Sequence, residues 1–190
     1  MTVSETTLPG VRLIDLDVHG DDRGSFAELW NVRDYGHHGL EAAFVQDNLS
    51  RSREGVLRGL HFQNPRPQGK LISVLKGEVY DVVVDVRAGS DTFGDWEGQV
   101  LSAETARQLY VPEGYAHGFV ATRGEVLFHY KCTDFYHPEA DRTIRWDDPR
   151  LDIDWPIDDP VLSEKDAKAP MLDEMSQEAL QFDDVRSVRS

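Results

Sequence analysis

The sequence predicts an all-β fold, an antiparallel sandwich or barrel with short peripheral helices. Short runs rich in β-branched and aromatic residues recur between Gly, Pro and Asp turns. Side chains within them alternate with period two. Tyr80, Val82, Val84 and Val86 form one apolar face, while Val79, Asp81, Val83 and Asp85 form a mixed one, as in an inner strand with one polar-accessible face. A length of 190 residues suits one well-filled domain over 1–190, with its core in about residues 10–170 and an acidic tail at 171–190.

In chain order, the first strand candidates are VRLIDL (11–16), SFAELWN (25–31) and AFVQDNLS (43–50). GVLRGLHF (55–62) and KLISVLKG (70–77) flank a Pro/Gly loop, and EVYDVVVDVR (78–87) is the mixed-face strand. EGQVLS (97–102) and RQLYVP (107–112) follow, with SAETARQ (102–108) between them read as a turn. HGFVAT (117–122) and EVLFHYKC (125–132) complete the strands. EKDAKA (164–169) predicts a short helix capped by Ser163, whose hydroxyl satisfies free amides. The polar, acidic stretch 173–190 predicts a surface helix and a frayed end.

The net charge of −15 and pI near 4.7 make nucleic acid and anionic membranes poor partners. Of 20 basic residues only five are lysines (70, 76, 131, 165 and 168), leaving 15 arginines. Few lysines and an Asp/Glu excess resemble the surface of a salt-loving organism's protein, so a cationic site for an anion stands out. No run of about 18 apolar residues predicts a membrane span. The N-terminus MTVSETTLPG lacks the basic start and apolar core of a secretory signal. A single cysteine, Cys132, forms no internal disulfide, and a reducing cytoplasm is the simplest location.

The chemistry concentrates in GVLRGLHFQNPRPQGK (55–70). A potential base, His61, a permanent cation, Arg58, and a titratable cation, Lys70, come from one hairpin-sized segment. The combination suits proton abstraction beside a carbonyl on an anionic substrate. A strand histidine is more often a packed or surface residue, but His61 has company, including His117 in PEGYAHGF. Arg58 and His61 differ by three positions, so a regular strand points them to opposite faces unless a bulge at Gly59 intervenes. A metal site of the HxH type lacks its second ligand, because Gln63 stands there, and no metal is expected. His37 and His38 read as a surface loop. Tyr130 and Tyr136 can share one small site only if the chain turns after about Thr133, as Asp134 and His137-Pro138 permit.

Together DDRGSFAE, FVQDNLS, GVLRGLHFQ, GKLISVLKGEVYDVVVDVR, TFGDW, YVPEGYAHGF, YKCTDFYHPEADRTIRWDDP, IDWP and LSEKDAKAP resemble the dTDP-4-dehydrorhamnose 3,5-epimerase family, over about residues 10 to 170. The resemblance implies a cupin-type jelly-roll β-barrel, usually a homodimer, working without metal or organic cofactor on a dTDP-4-keto-6-deoxy sugar in dTDP-L-rhamnose synthesis. It implies His61 as base, Tyr130 as acid, Asp166 as the partner of His61, and Lys70 as donor to the developing C4 oxyanion. Arg58 matches a diphosphate contact, and Arg23 another that is often lent across the dimer. Glu28, Gln46, Asp47 and Asn48 match thymidine- and ribose-side contacts, with Asp47 pointing away from the face shared by Gln46 and Asn48. His117 matches a sugar or phosphate contact, Tyr136 the ring that stacks on thymine, and Lys165 a contact near Asp166. Asp141 stands where the family often has glutamate, a shorter reach. Two other readings remain: an epimerase acting at one carbon or on another dTDP-keto sugar, and a non-catalytic sugar-nucleotide-binding cupin.

Overall fold

The computed structural model describes residues 1–182. Eleven strands run in order: β1 (Thr2–Glu5), β2 (Arg12–Asp15), β3 (Val18–Asp21), β4 (Gly24–Ala27), β5 (Gln46–Ser52), β6 (Leu57–Gln63), β7 (Lys70–Asp85), β8 (Trp96–Ser102), β9 (Arg107–Val111), β10 (Tyr115–Cys132) and β11 (Asp141–Thr143). Short helices are α1 (Val32–His37), α2 (Glu164–Ala167) and α3 (Gln177–Leu180). Among the described residues no helix is long and apolar enough to cross a membrane.

Two long strands organise the molecule. The start of β7 pairs with β9 and with the end of β10, and its second half pairs with β8 and the start of β10. Each long strand therefore belongs to two sheets. One sheet runs β1-β2-β9-β7-β10-β5 and the other β8-β7-β10-β6-β11, all antiparallel. This is the jelly roll that the resemblance implies. The strand breaks expected at 77/78 and 122/125 are its corners. Gly77 has φ +77°, and a Cβ there would lie 2.7 Å from the Glu125 carbonyl, so only glycine lets β7 bend against β10.

The core follows the alternation. Val79, Val83, Phe119, Phe128 and Ile72 point between the sheets. Val82, Val84 and Val86 pack on the opposite face against Ile144, Leu151, Trp155, Leu172 and Leu180. The mixed face of β7 is thus the barrel interior, and its aspartates are buried rather than open to solvent. The C-terminal segment also departs from expectation: instead of a surface helix, a 3-10 turn (Leu172–Glu174) and α3 bury Leu172, Ala179 and Leu180. The Asn64 amide holds this strap by donating to the carbonyls of Glu178, Ala179 and Gln181. The expected frayed end lies in 183–190, outside the described residues.

Near the N-terminus, residues 28–31 leave the sheet and α1 forms where a loop containing His37 and His38 was expected. The Asn31 side chain caps it by accepting from the Arg33 amide, and Tyr35 anchors it to the outer face of the first sheet. β3 and β4 pair only with each other and form an exposed hairpin.

Candidate active site

β6 decides the geometry. Its register against β10 pairs His61 with His117 and Arg58 with Phe119, so three steps on β6 match two on β10. This is the bulge at Gly59 that brings Arg58 and His61 to one face. Leu57, Leu60 and Phe62 fill the opposite face. Gly59 has φ +129°, and a Cβ on it would lie 2.5 Å from Gly118 Cα. Close approach of two backbones thus requires glycine on both strands.

A cleft of about 360 Å³ opens at this end of the barrel, lined by His61, Gln63, Lys70, Tyr130, Tyr136 and Lys165, with Gln46, Asn48, Phe62, Gln68 and Asp141. β6 of one sheet supplies His61, while the end of β10 in the other supplies Tyr130. The chain turns after Cys132, the Asp134 carboxylate accepts the Phe135 amide, and Tyr136 returns to the same cleft.

Behind His61 lies Asp166, buried, its Oδ1 2.6 Å from His61 Nε2. α2 presents it: the Ser163 hydroxyl accepts the Asp166 amide as an N-cap and donates to Asp166 Oδ2 at 2.8 Å. Burial pushes the Asp166 carboxyl up, but the bonds from His61 and Ser163 outweigh it and hold the group below its ordinary range. A carboxylate only accepts, so Nε2 carries the hydrogen and Nδ1 of neutral His61 keeps the lone pair.

Lys70 is buried, and its Nζ donates to the His61 carbonyl at 3.4 Å. Burial lowers its pKa, opposed by the nearby Cys132, Asp81 and Asp141. Burial likewise raises the Tyr130 hydroxyl, with Cys132 and Asp141 adding to it and Arg58 opposing, so Tyr130 stays protonated at neutral pH. Below the cleft His117 Nε2 meets both oxygens of Asp81 at 2.9 and 3.0 Å. At the mouth Asp141 Oδ2 accepts from the Tyr136 hydroxyl at 3.2 Å and from Lys165 Nζ at 2.5 Å.

The structure therefore brings His61, Lys70, Tyr130, Gln46, Asn48, Tyr136, Asp141 and Lys165 to one cleft, with Asp166 against His61. Five other sequence candidates lie elsewhere. His117 is buried on Asp81 beneath the cleft. The Arg58 guanidinium bonds Ser52 Oγ and the Arg51 carbonyl, off the cleft lining. Asp47 faces outward and pairs with Lys131 and His129. Arg23 sits in the exposed β3–β4 hairpin, paired with Asp21. Glu28 lines a separate cavity of about 290 Å³ with Asp17, His19, Phe26, Asp34 and Tyr35. The sequence reading missed Gln63 and Gln68. Gln63 shares the strand parity of His61, a signal that was present; Gln68 sits in the loop before β7, where no periodicity points it out. Among the described residues, no three His, Cys, Asp or Glu side chains gather so as to hold a metal ion.

Comparison with known proteins identifies the family. Residues 5–174 match the family described as dTDP-4-dehydrorhamnose 3,5-epimerase. The protein of that name from Methanothermobacter thermautotrophicus is 52% identical over 165 residues, 85% of this chain and 89% of its own. The crystal structure of dTDP-6-deoxy-D-glucose-3,5-epimerase from Legionella pneumophila, in complex with dTDP-4-keto-L-rhamnose, is 48% identical with a TM-score of 0.92, covering 95% of this chain and 97% of that one. A 3′-monoepimerase from Streptomyces bikiniensis, in complex with dTDP-quinovose, is 32% identical with a TM-score of 0.83, covering 88% and 86%. With its fold and most of its length in agreement, the chain belongs to the dTDP-4-dehydrorhamnose 3,5-epimerase family of carbohydrate epimerases, which are isomerases.

Proposed function

We propose that this protein inverts C3 and C5 of dTDP-4-dehydro-6-deoxy-D-glucose to give dTDP-4-dehydro-L-rhamnose, in dTDP-L-rhamnose synthesis. The observation that carries the mechanism is His61, on one sheet and backed by Asp166 of α2, facing a cleft whose other wall holds Tyr130. The C4 ketone acidifies the C–H bonds at C3 and C5. His61 Nδ1 takes the proton, and the imidazolium is stabilised by Asp166. The electron pair moves into an enolate whose C4 oxygen accepts from Lys70. Tyr130 returns a proton to the other face, inverting the carbon, and solvent then resets both groups. Each positioned acid or base contributes about 10²–10⁴-fold.

At the nucleotide end, Tyr136 stacks on the base, Gln46, Asn48, Lys165 and Asp141 make polar contacts, and Arg58 swings from Ser52 to the diphosphate. The exposed β3–β4 hairpin carries Arg23 and a solvent-facing Phe26; in a homodimer it delivers Arg23 and Glu28 to the partner's cleft. His117 with Asp81 supports Lys70 from below rather than touching the substrate.

The likeness to the Streptomyces 3′-monoepimerase favours a second reading, inversion at one carbon. Proton NMR of dTDP-4-keto-6-deoxyglucose with the protein in heavy water separates them. Loss of both the C3 and C5 signals, with the lyxo product trapped by a reductase, is expected. Exchange at one carbon would select the single epimerase, and no exchange despite binding would select a binding module. His61→Ala should abolish exchange while leaving nucleotide affinity near normal; retained exchange would remove His61 as the base.

A further inference from the structure

We propose that Gln63 is a positioning residue that sets the loop presenting Tyr136, and so fixes the spacing between the nucleotide end of the cleft and the base His61. The inference rests on the stacking role proposed for Tyr136. Gln63 lies two positions beyond His61 on the same face of β6, about 7 Å along the strand. Its buried amide donates from Nε2 to the Arg66 carbonyl at 2.8 Å and the Phe135 carbonyl at 3.2 Å. Its Oε1 accepts the His137 amide at 2.8 Å. One side chain thus holds the residues on both sides of Tyr136. Two more glutamines complete the hold: Gln46 Oε1 accepts the Tyr136 amide at 2.9 Å, and Gln68 Nε2 donates to the Asp134 carbonyl at 2.8 Å. Residues 134 to 137 each have a backbone group taken by one of these three glutamines, Gln63 taking those of both Phe135 and His137.

The arrangement is chemically selective. Loop backbone offers carbonyls and amides together, and a carboxamide meets both, with two N–H donors beside a separate carbonyl acceptor, where a carboxylate only accepts and an ammonium only donates. Loss of the Gln63 amide would leave loop groups beside a buried position without partners. Tyr136 needs this support because the residue is 54% exposed and its side chain is held by one bond from its hydroxyl. A ring that packs against little protein is placed by its backbone, and a backbone fixed in advance spares the ordering cost of binding. Base and loop anchor share one strand, so the spacing between catalytic and nucleotide ends is set by β6 itself.

Two variants test this, Gln63→Met, which keeps the shape without polar atoms, and Gln63→Glu, which can accept but not donate. Hydrogen exchange over residues 133–138 should accelerate in both, without ligand. In calorimetry with dTDP the dissociation constant should rise about tenfold, while kcat with the keto sugar stays within about threefold. In a Tyr136→Ala background, Gln63→Met should add less than about twofold. Unchanged exchange in a folded variant, an affinity loss that persists without Tyr136, or a collapse of kcat at unchanged affinity would each overturn the inference. If Gln63→Met does not fold, Gln68→Met removes one loop bond from outside the strand and should shift exchange the same way by less; no shift would count against the loop clamp. Wild-type protein that fails to bind dTDP would defeat the functional reading instead, and the exchange comparison would still decide whether Gln63 sets the loop.

Discussion

Asp81 and Asp85 stand four residues apart on the same face of β7, both 0% exposed, and nothing in their spacing distinguishes them. Their surroundings are opposite. Asp85 accepts from the Arg87 backbone amide, from Arg87 Nε and Nη2, and from the hydroxyls of Ser90 and Thr92 at 2.6 Å each. Burial pushes its carboxyl up, but these donors overcome it and hold the pKa below the ordinary value. Arg87 goes on to Tyr115, whose hydroxyl donates to the Pro9 carbonyl, so this end of the barrel is tied shut. Among the described residues the Asp81 carboxylate has one bonded partner, His117. There burial wins: the carboxyl is raised against the pull of His117 and Lys70, while burial lowers His117 and Lys70. A buried charge given all its donors closes a structure. A buried cluster in which every member is pushed toward neutrality lies beneath the cleft, where the proposed proton transfers need groups poised between states.

If that contrast is right, removing each group should damage different things. The largest effect belongs to the closed end. Asp85→Ala leaves Arg87, Ser90 and Thr92 facing a void and should cost about 3–5 kcal/mol, near 10 °C of melting temperature for a chain of this size. The kcat of the remaining folded protein should hold. Calorimetry with activity corrected for folded fraction checks it, and a melting shift under a few degrees would show that the saturated network is ornamental. Next comes Lys70→Met at the open end. Loss of the proposed donor to the oxyanion should lower kcat by about 10²–10³, with the melting temperature unchanged or raised because a desolvated cation is gone. A kcat near wild type would place the oxyanion donor elsewhere in the cleft.

The same strand shows how far the sequence could be read. Alternation in β7 separated its two faces, and turn chemistry placed eight of the eleven described strands, missing the three- and four-residue β1, β3 and β11, because those signals are local and need a run of some length. The long strands read as broken at Gly77 and near Arg123 for a physical reason: a jelly-roll corner uses the glycine and charged residues that end a strand elsewhere. Which face was interior was not legible, since an aspartate pair among valines reads as solvent-facing until the second sheet covers it. The meeting of His61 with Asp166 joins residues 105 apart, and spacing carries no trace of it; the family resemblance supplied that pairing. Parity alone set Arg58 against His61, and the bulge that reconciles them depends on Gly118, a residue of another strand. α1 was hidden by its six-residue length and its two glycine-flanked histidines.

The smallest expected effect is a difference in sign. The pKa of Asp85 is depressed on folding, so its contribution to stability is full above the unfolded carboxyl value, near 4, and is lost as pH falls through the folded value. That of Asp81 is raised, so the folded state holds its proton more tightly, and stability declines as pH climbs from the unfolded value through the folded one. Denaturant titrations between about pH 3.5 and 8 should therefore separate the two. The gap between wild type and Asp85→Ala should narrow as pH drops below about 4. Against Asp81→Asn, which keeps a bond to His117 without the charge, wild type should lose ground as pH rises above that same point. Slopes of the same sign would mean that His117 and Lys70 satisfy Asp81 as fully as Arg87, Ser90 and Thr92 satisfy Asp85. The open end of the barrel would then be as settled as the closed one, and the case for a poised cluster beneath the cleft would fall with it.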